Sequence, residues 1–370
     1  MTQAAATPSR FGPAFELLGV ERAWTRTRGA AVIIGIVDHG VQLDHPLIGP
    51  NIQKDPALHT LATGDHEIAG THAAGVAAGR SSEVARFSGV APDARILAVC
   101  FSGNPGTQAF DLPHAIEYAA EMGASIINVS SAADVSKPAA HRAIQYAATR
   151  NVLVVCPATS DSSEARHEAE PLPNKITVLS VSEKMTPLTR VSGDAQIAAP
   201  GFARVPHWRG SGHTAHEDAA FGASYVSGCA ALIKAQNPAW GYLELKEHLL
   251  ASATILPELE GQCQSARALN IGDAVLGPIG LKPTSLPLRW SSLSDAVLTW
   301  DLRYRSAYCG HAVALFRPHG DDHWRELACA RVTAQRMTVP GSALRRASGT
   351  LRIACRESNF HSEEVPLTIV

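Results

Sequence analysis

Two residue types that move protons stand where they could act together. Asp38 follows the apolar, mostly β-branched run Ala31–Val37 and precedes Gly40. A carboxylate at the C-terminal edge of a parallel sheet is where α/β enzymes keep their chemistry. An isolated aspartate there serves equally well as a turn or helix cap. His72 stands in Gly70-Thr71-His72-Ala73-Ala74-Gly75, at the head of a segment of small residues. An imidazole oriented by a carboxylate is a general base. Beside a hydroxyl or thiol, the same pair activates a nucleophile. A lone histidine is more often a surface or core residue, so its context carries the weight. His39 puts a second imidazole beside Asp38.

Holding such side chains requires a rigid scaffold, and the pattern predicts one. After Ala31–Val37, further buried runs occur at Arg95–Val99, Ser125–Val129, Val152–Val155 and Lys175–Val181. Continuous apolar runs of this length suit strands covered on both faces. Between them His72–Ala78 is rich in Ala and Gly, and His114–Glu121 and Ala139–Ala148 have helical apolar spacing. Strand alternating with helix predicts an α/β domain over residues 19–275, a parallel sheet flanked by helices. Residues 1–18 read as a loose arm. From 276 to 370 the helical spacing fades. Val297–Asp301, Ala312–Phe316, Ala330–Val332 and Leu351–Ala354 read as short strands of a separate β-sandwich. Leu298-Thr299-Trp300-Asp301, with Tyr304, resembles fibronectin type III modules.

Composition narrows the function classes. A formal charge of −2 over 370 residues, with scattered arginines, points away from nucleic acid and anionic membranes. No apolar stretch reaches the roughly 18 residues of a membrane span. Met1–Thr7 lacks the basic patch and apolar run of a signal peptide. The seven widely spaced cysteines read as reduced packing residues, with one bridge conceivable in the last hundred residues. The expected location is cytoplasmic. No Cys/His spacing suggests zinc, and no metal or cofactor is expected.

The order of these segments resembles the subtilisin-like serine peptidases, or subtilases, whose triad runs Asp, His, Ser. Asp38 is followed at family spacing by His45-Pro46, and Gly70–Gly75 differs at one position from the family's Gly-Thr-His-Val-Ala-Gly. Gly89-Val90-Ala91-Pro92, Ile126-Ile127-Asn128-Val129-Ser130 and Ala199-Pro200-Gly201 resemble further family segments in the same order. The resemblance covers most of residues 19–255. It implies that Asp38 orients His72, and that His72 accepts a proton from a serine. Secreted members usually carry a propeptide; none is recognisable here, and some intracellular relatives also lack a long one.

The departures cluster at the same place. Where the family carries Gly-Thr-Ser, this chain has Asp218-Ala219-Ala220. The ungapped match puts Ala220 at the nucleophile and Phe221-Gly222-Ala223-Ser224 on Met-Ala-Ser-Pro. Matching Gly222-Ala223-Ser224 to Gly-Thr-Ser instead deletes four residues and shifts the following helix by about 6 Å. Ser160 stands where the family's asparagine supplies an oxyanion donor, and a serine hydroxyl is shorter. In this same family a lost oxyanion donor costs about 10²–10³ in turnover and a lost nucleophile on the order of 10⁶. The alanine therefore decides the question of hydrolysis. Ser130-Ser131-Ala132-Ala133 replaces Ser-Leu-Gly-Gly of the substrate strand, where a peptide adds by strand pairing. Alanine there adds a methyl group in the path of an approaching backbone. His39 borders the same cleft. Leu47, where the family often has an aspartate ligand for calcium, offers no oxygen to a hard cation.

Three readings follow. The chain is a natural pseudo-peptidase that binds a peptide-like ligand or, through residues 276–370, a protein partner. It is a peptidase silenced by a deliberate Ser-to-Ala change. Or Asp38 and His72 run a different acid–base reaction. A single engineered change would explain Ala220 alone, whereas Asp218, Ala219, Ser160, Ala132 and His39 depart as well.

Overall fold

In the structure, a computed structural model, residues 11–53, 66–82, 85–102, 110–130, 135, 137–158, 172–189, 195–207, 212–264, 266–276, 282–285, 289–290, 295–301, 311–331, 336–344, 348–355 and 365–369 are described. The chain divides into two compact units, Met1–Leu249 with Leu256–Leu276, and Leu250–Ile255 with Gly277–Val370.

Before the first strand come helices α1 (Pro13–Leu18) and α2 (Val20–Ala23). Next are β1 (Ile33–Asp38), α3 (His66–Ala78), β2 (Arg95–Cys100), α4 (Leu112–Glu121), β3 (Ile126–Val129) and α5 (Pro138–Thr149). Then follow β4 (Leu153–Pro157), β5 (Lys175–Val181), β6 (Ile197–Pro200), the hairpin β7 (Phe202–Pro206) and β8 (His213–Glu217), α6 (Phe221–Gln236), α7 (Tyr242–Ser252), β9 (Thr254–Ile255), β10 (Arg267–Ala268) and α8 (Ile271–Leu276).

The parallel strands are ordered β2-β1-β3-β4-β5-β6-β10, so β1 lies inside the sheet with a neighbour on each side. Successive side chains of a strand point to opposite faces. On one face Val37, Val99, Val129 and Val154 pack under Ile116 and Ala119 of α4 and Ala143 and Ile144 of α5. Asn128, of opposite parity to Val129, faces the other way and meets α6. Every residue of α6 from Phe221 to Ile233 is buried. That helix has no polar face to give it an amphipathic signature, as a helix enclosed on all sides requires.

Two expectations need correction. Residues 11–18 are not loose: Phe11, Phe15 and Trp24 rings meet at 5.4–5.8 Å, and Leu18 is buried. Pro13 opens α1 and Gly19, at φ 67°, closes it in the left-handed conformation that glycine takes at little cost. The other concerns α3, which begins at His66, not at His72.

The second unit carries β11 (Lys282–Ser285), β12 (Arg289–Trp290), β13 (Ala296–Asp301), β14 (His311–Pro318), β15 (Arg325–Arg331), β16 (Arg336–Val339), β17 (Gly349–Cys355) and β18 (Val365–Ile369). They make a three-stranded sheet, β11-β13-β16, and a five-stranded sheet, β12-β18-β17-β14-β15, both mainly antiparallel. Leu298, Met337 and Val339 of the first sheet and Phe316, Leu351, Ile353 and Leu367 of the second share one apolar cluster. Two sheets burying their inner faces together form a sandwich. Tyr304 lies outside the described residues. No disulfide joins Cys100, Cys156, Cys229, Cys263 or Cys329. Of these, Cys329 is exposed and is not the buried packing residue expected.

Candidate functional site

Asp38 is the last residue of β1, opposite Cys100 of β2, where the parallel strands end. Its side chain is 2% exposed. Oδ1 accepts the His39 backbone N–H at 2.6 Å, whereas Oδ2 is buried with no hydrogen-bond partner. Burial holds this carboxyl above the usual carboxylate range. The Ser130 hydroxyl and the His39 N–H and charge pull it down more weakly, and the Asp218 charge adds to the rise. Helix α3 passes close overhead, since a Cβ at Gly70 would strike both the Gly40 carbonyl and the Asp38 Cβ. Glycine is required there by close approach. His39 is exposed and turns away to the end of β2: its ring lies 4.4 Å from that of Phe101, and its Nδ1 donates to the Phe101 carbonyl at 3.1 Å.

His72 leaves α3 six residues after the helix begins, and its imidazole is half-buried. Among the described residues Asp38 Oδ1 is bonded to the His39 N–H and Oδ2 to nothing, so the Asp38–His72 contact that the resemblance implies is not made. The ring instead lies 5.7 Å from that of His216 on β8 and 6.3 Å from that of Phe221 on α6. Burial is the main cause that lowers its pKa from 6.5 to about 4, followed by the neighbouring His216. The Pro206 carbonyl and the Asp218 charge oppose that shift. The ring packs against β8 and α6 and away from the strand end, and Ala220 offers it no hydroxyl.

His45, of the His-Pro pair, is fully buried and serves the scaffold. Its Nε2 donates to the His207 carbonyl at 2.9 Å, and its Nδ1 accepts from the Leu47 N–H at 3.1 Å. These two bonds define the neutral tautomer and tie the end of β7 to the loop after Asp38.

Ala220 caps the N-terminus of α6. Its N–H is bonded to Asp218 Oδ1 at 2.7 Å. The next donor, Phe221 N–H, goes to the Asp218 carbonyl at 3.2 Å. The third, Gly222 N–H, goes to Ser180 Oγ at 3.1 Å, and the Ser180 hydroxyl donates to the Ala219 carbonyl at 2.6 Å. Ser180, on β5, thereby clamps the turn that presents position 220. Ser224, the rival nucleophile, is 0% exposed inside α6, with its hydroxyl unpartnered. No acyl carbonyl reaches it there.

A buried polar chain runs beneath. Ser227 of α6 donates to Asn128 Oδ1 at 3.0 Å, and Asn128 Nδ2 donates to Ser130 Oγ at 3.3 Å. Ser130 in turn faces Asp38. Ser131, Ala132 and Ser160 lie outside the described residues. Among the described residues no cluster of three His, Cys, Asp or Glu side chains is arranged to hold a metal. Sequence reasoning missed His216 and Ser180. His216 carries no sequence signal, because β8 has mostly exposed residues of mixed type. Ser180 had one: a polar residue near the end of the apolar run Lys175–Val181.

Comparisons with known proteins bear on the fold and the family. The Subtilase family model matches residues 29–274. The chain is 29% identical over 224 residues to the thermophilic serine proteinase of Bacillus sp. (strain AK1), covering 58% of this chain and 55% of that protein. It thus spans only about half of that relative. It is 28% identical over 233 residues to thermitase of Thermoactinomyces vulgaris, covering 62% of this chain and 83% of thermitase. The solved prenylagaramide maturation protease PagA superposes with a TM-score of 0.55 at 28% identity, covering 70% of this chain and 98% of PagA. MycP1 of Mycobacterium smegmatis, at 21% identity and TM-score 0.56 over 77% of this chain and 88% of MycP1, shares the fold. With the sheet order, the strand-end Asp38, the helix-borne His72 and the family match all in agreement, the chain belongs to the subtilase family.

Proposed function

We propose that this chain is a subtilase that binds a peptide-like ligand in the family cleft and does not cleave it by the acyl-enzyme route. One observation carries the reading. The residue at the head of α6 is Ala220, without a hydroxyl, and the nearest alternative, Ser224, is wholly buried. His72 has no oxygen nucleophile to deprotonate. Relatives named as proteases support a peptide as the ligand class. The free thiols Cys100, Cys156, Cys229, Cys263 and Cys329 suit the reducing cytoplasm. The sandwich unit is proposed as the surface for a protein partner.

The acid–base reading has less support, because Asp38 Oδ2 has no hydrogen-bond partner and so does not reach His72. Fluorophosphonate probes that modify activated serines test the main reading. The chain as it stands should remain unlabelled while an immobilised peptide library retains it. Labelling at Ser224 would restore a conventional serine peptidase and end the proposal.

A further inference from the structure

In acyl transfer, negative charge develops on the carbonyl oxygen that the nucleophile attacks. Stabilising it requires N–H groups about 2.7–3.1 Å from the developing oxyanion and not already engaged. At a nucleophile on a helix N-terminus, the nearest such group is the residue's own N–H, one of the helix's unsatisfied donors. Here that donor is taken. Asp218 Oδ1 accepts Ala220 N–H at 2.7 Å, and the Asp218 carbonyl accepts Phe221 N–H at 3.2 Å. Gly222 N–H belongs to Ser180.

We propose that Asp218 is a built-in plug of the oxyanion site, an internal carboxylate occupying the donor that a substrate carbonyl would use. The proposal deepens the reading above and rests on position 220 being that of the nucleophile. The family has glycine where this chain has Asp218, and a glycine leaves the N–H open. A carboxylate at a helix N-terminus is also favourably placed by the helix dipole, so the plug is a stable arrangement. It hinders twice, by holding the hydrogen bond and by setting a negative charge where a second must form. Asp218 also acts weakly on the rest of the site, adding to the rise at Asp38 and opposing the fall at His72, both of which burial dominates. With the donor at 220 still engaged, restoring serine there is not enough to restore chemistry.

The test compares Ala220→Ser with Ala220→Ser/Asp218→Gly in fluorophosphonate labelling. The double variant should label at least about 10²-fold faster, the effect of one oxyanion donor. Equal labelling of the two overturns the plug. If neither variant labels, amide hydrogen exchange in Asp218→Gly decides. Exchange at Ala220 should quicken tenfold or more while that at Gly222, held by Ser180, is unchanged. Exchange at Ala220 that ignores Asp218→Gly overturns the proposal. Labelling of the unaltered chain would instead sink the non-cleaving reading, so the two failures are distinct.

Discussion

Ser180→Ala tests what holds position 220 in place. Ser180 is 2% exposed, and its hydroxyl makes two bonds across the turn, accepting from Gly222 N–H at 3.1 Å and donating to the Ala219 carbonyl at 2.6 Å. Removing Oγ leaves a gap smaller than the roughly 30 Å³ a water takes in the liquid, so water does not replace it. The two partners suffer unequally. Gly222 is buried, and an unsatisfied buried N–H costs about 1–3 kcal/mol. Ala219 is half-buried, so the loss at its carbonyl is nearer the net value of one hydrogen bond, about 1 kcal/mol. The sum is about 3 kcal/mol off the stability of the first unit, read from the urea transition with a probe in that unit. Amide exchange at Gly222 should quicken in parallel. A loss under about 0.5 kcal/mol, or unchanged exchange at Gly222, would mean that Ser180 does not clamp the head of α6.

Further outcomes follow from the same atoms. Ser224→Ala removes a buried, unpartnered hydroxyl, so stability should rise by about 1 kcal/mol in the same urea assay. A loss of stability would reveal a partner. His72 has a folded pKa of about 4 against 6.5 for the free side chain. Between those values the unfolded chain binds more protons, so this contribution is complete above pH 6.5 and is lost as pH falls toward 4. Its size is about 2 kcal/mol after screening of the partly exposed ring is allowed for. His72→Phe should flatten the stability profile across that window. Asp38, raised by burial, acts with the opposite sign, losing stability as pH climbs through its folded pKa, so Asp38→Asn should steepen the rise.

The fold was legible in the sequence because its strands are locally encoded. Lys175–Val181, a run covered on both faces, is β5 residue for residue. The Asp38 and His72 positions were legible through short ordered segments, since a strand end and a helix with glycine at close approach leave few choices of residue. The N-terminal helix was missed because six residues carry little helical signal without the aromatic cluster they pack into. The start of α3 was missed because the signal of small residues begins only at its middle. What the tertiary structure alone decided is the state of the site. Ser180 and Gly222 are 42 residues apart, and Asn128 and Ser227 are 99 apart. The surroundings of the His72 ring come from His216 on β8 and Phe221 on α6, both far along the chain. Hydrogen bonds between distant segments depend on geometry that no local pattern carries, so a sequence names the residues of a site before it can say which of them touch.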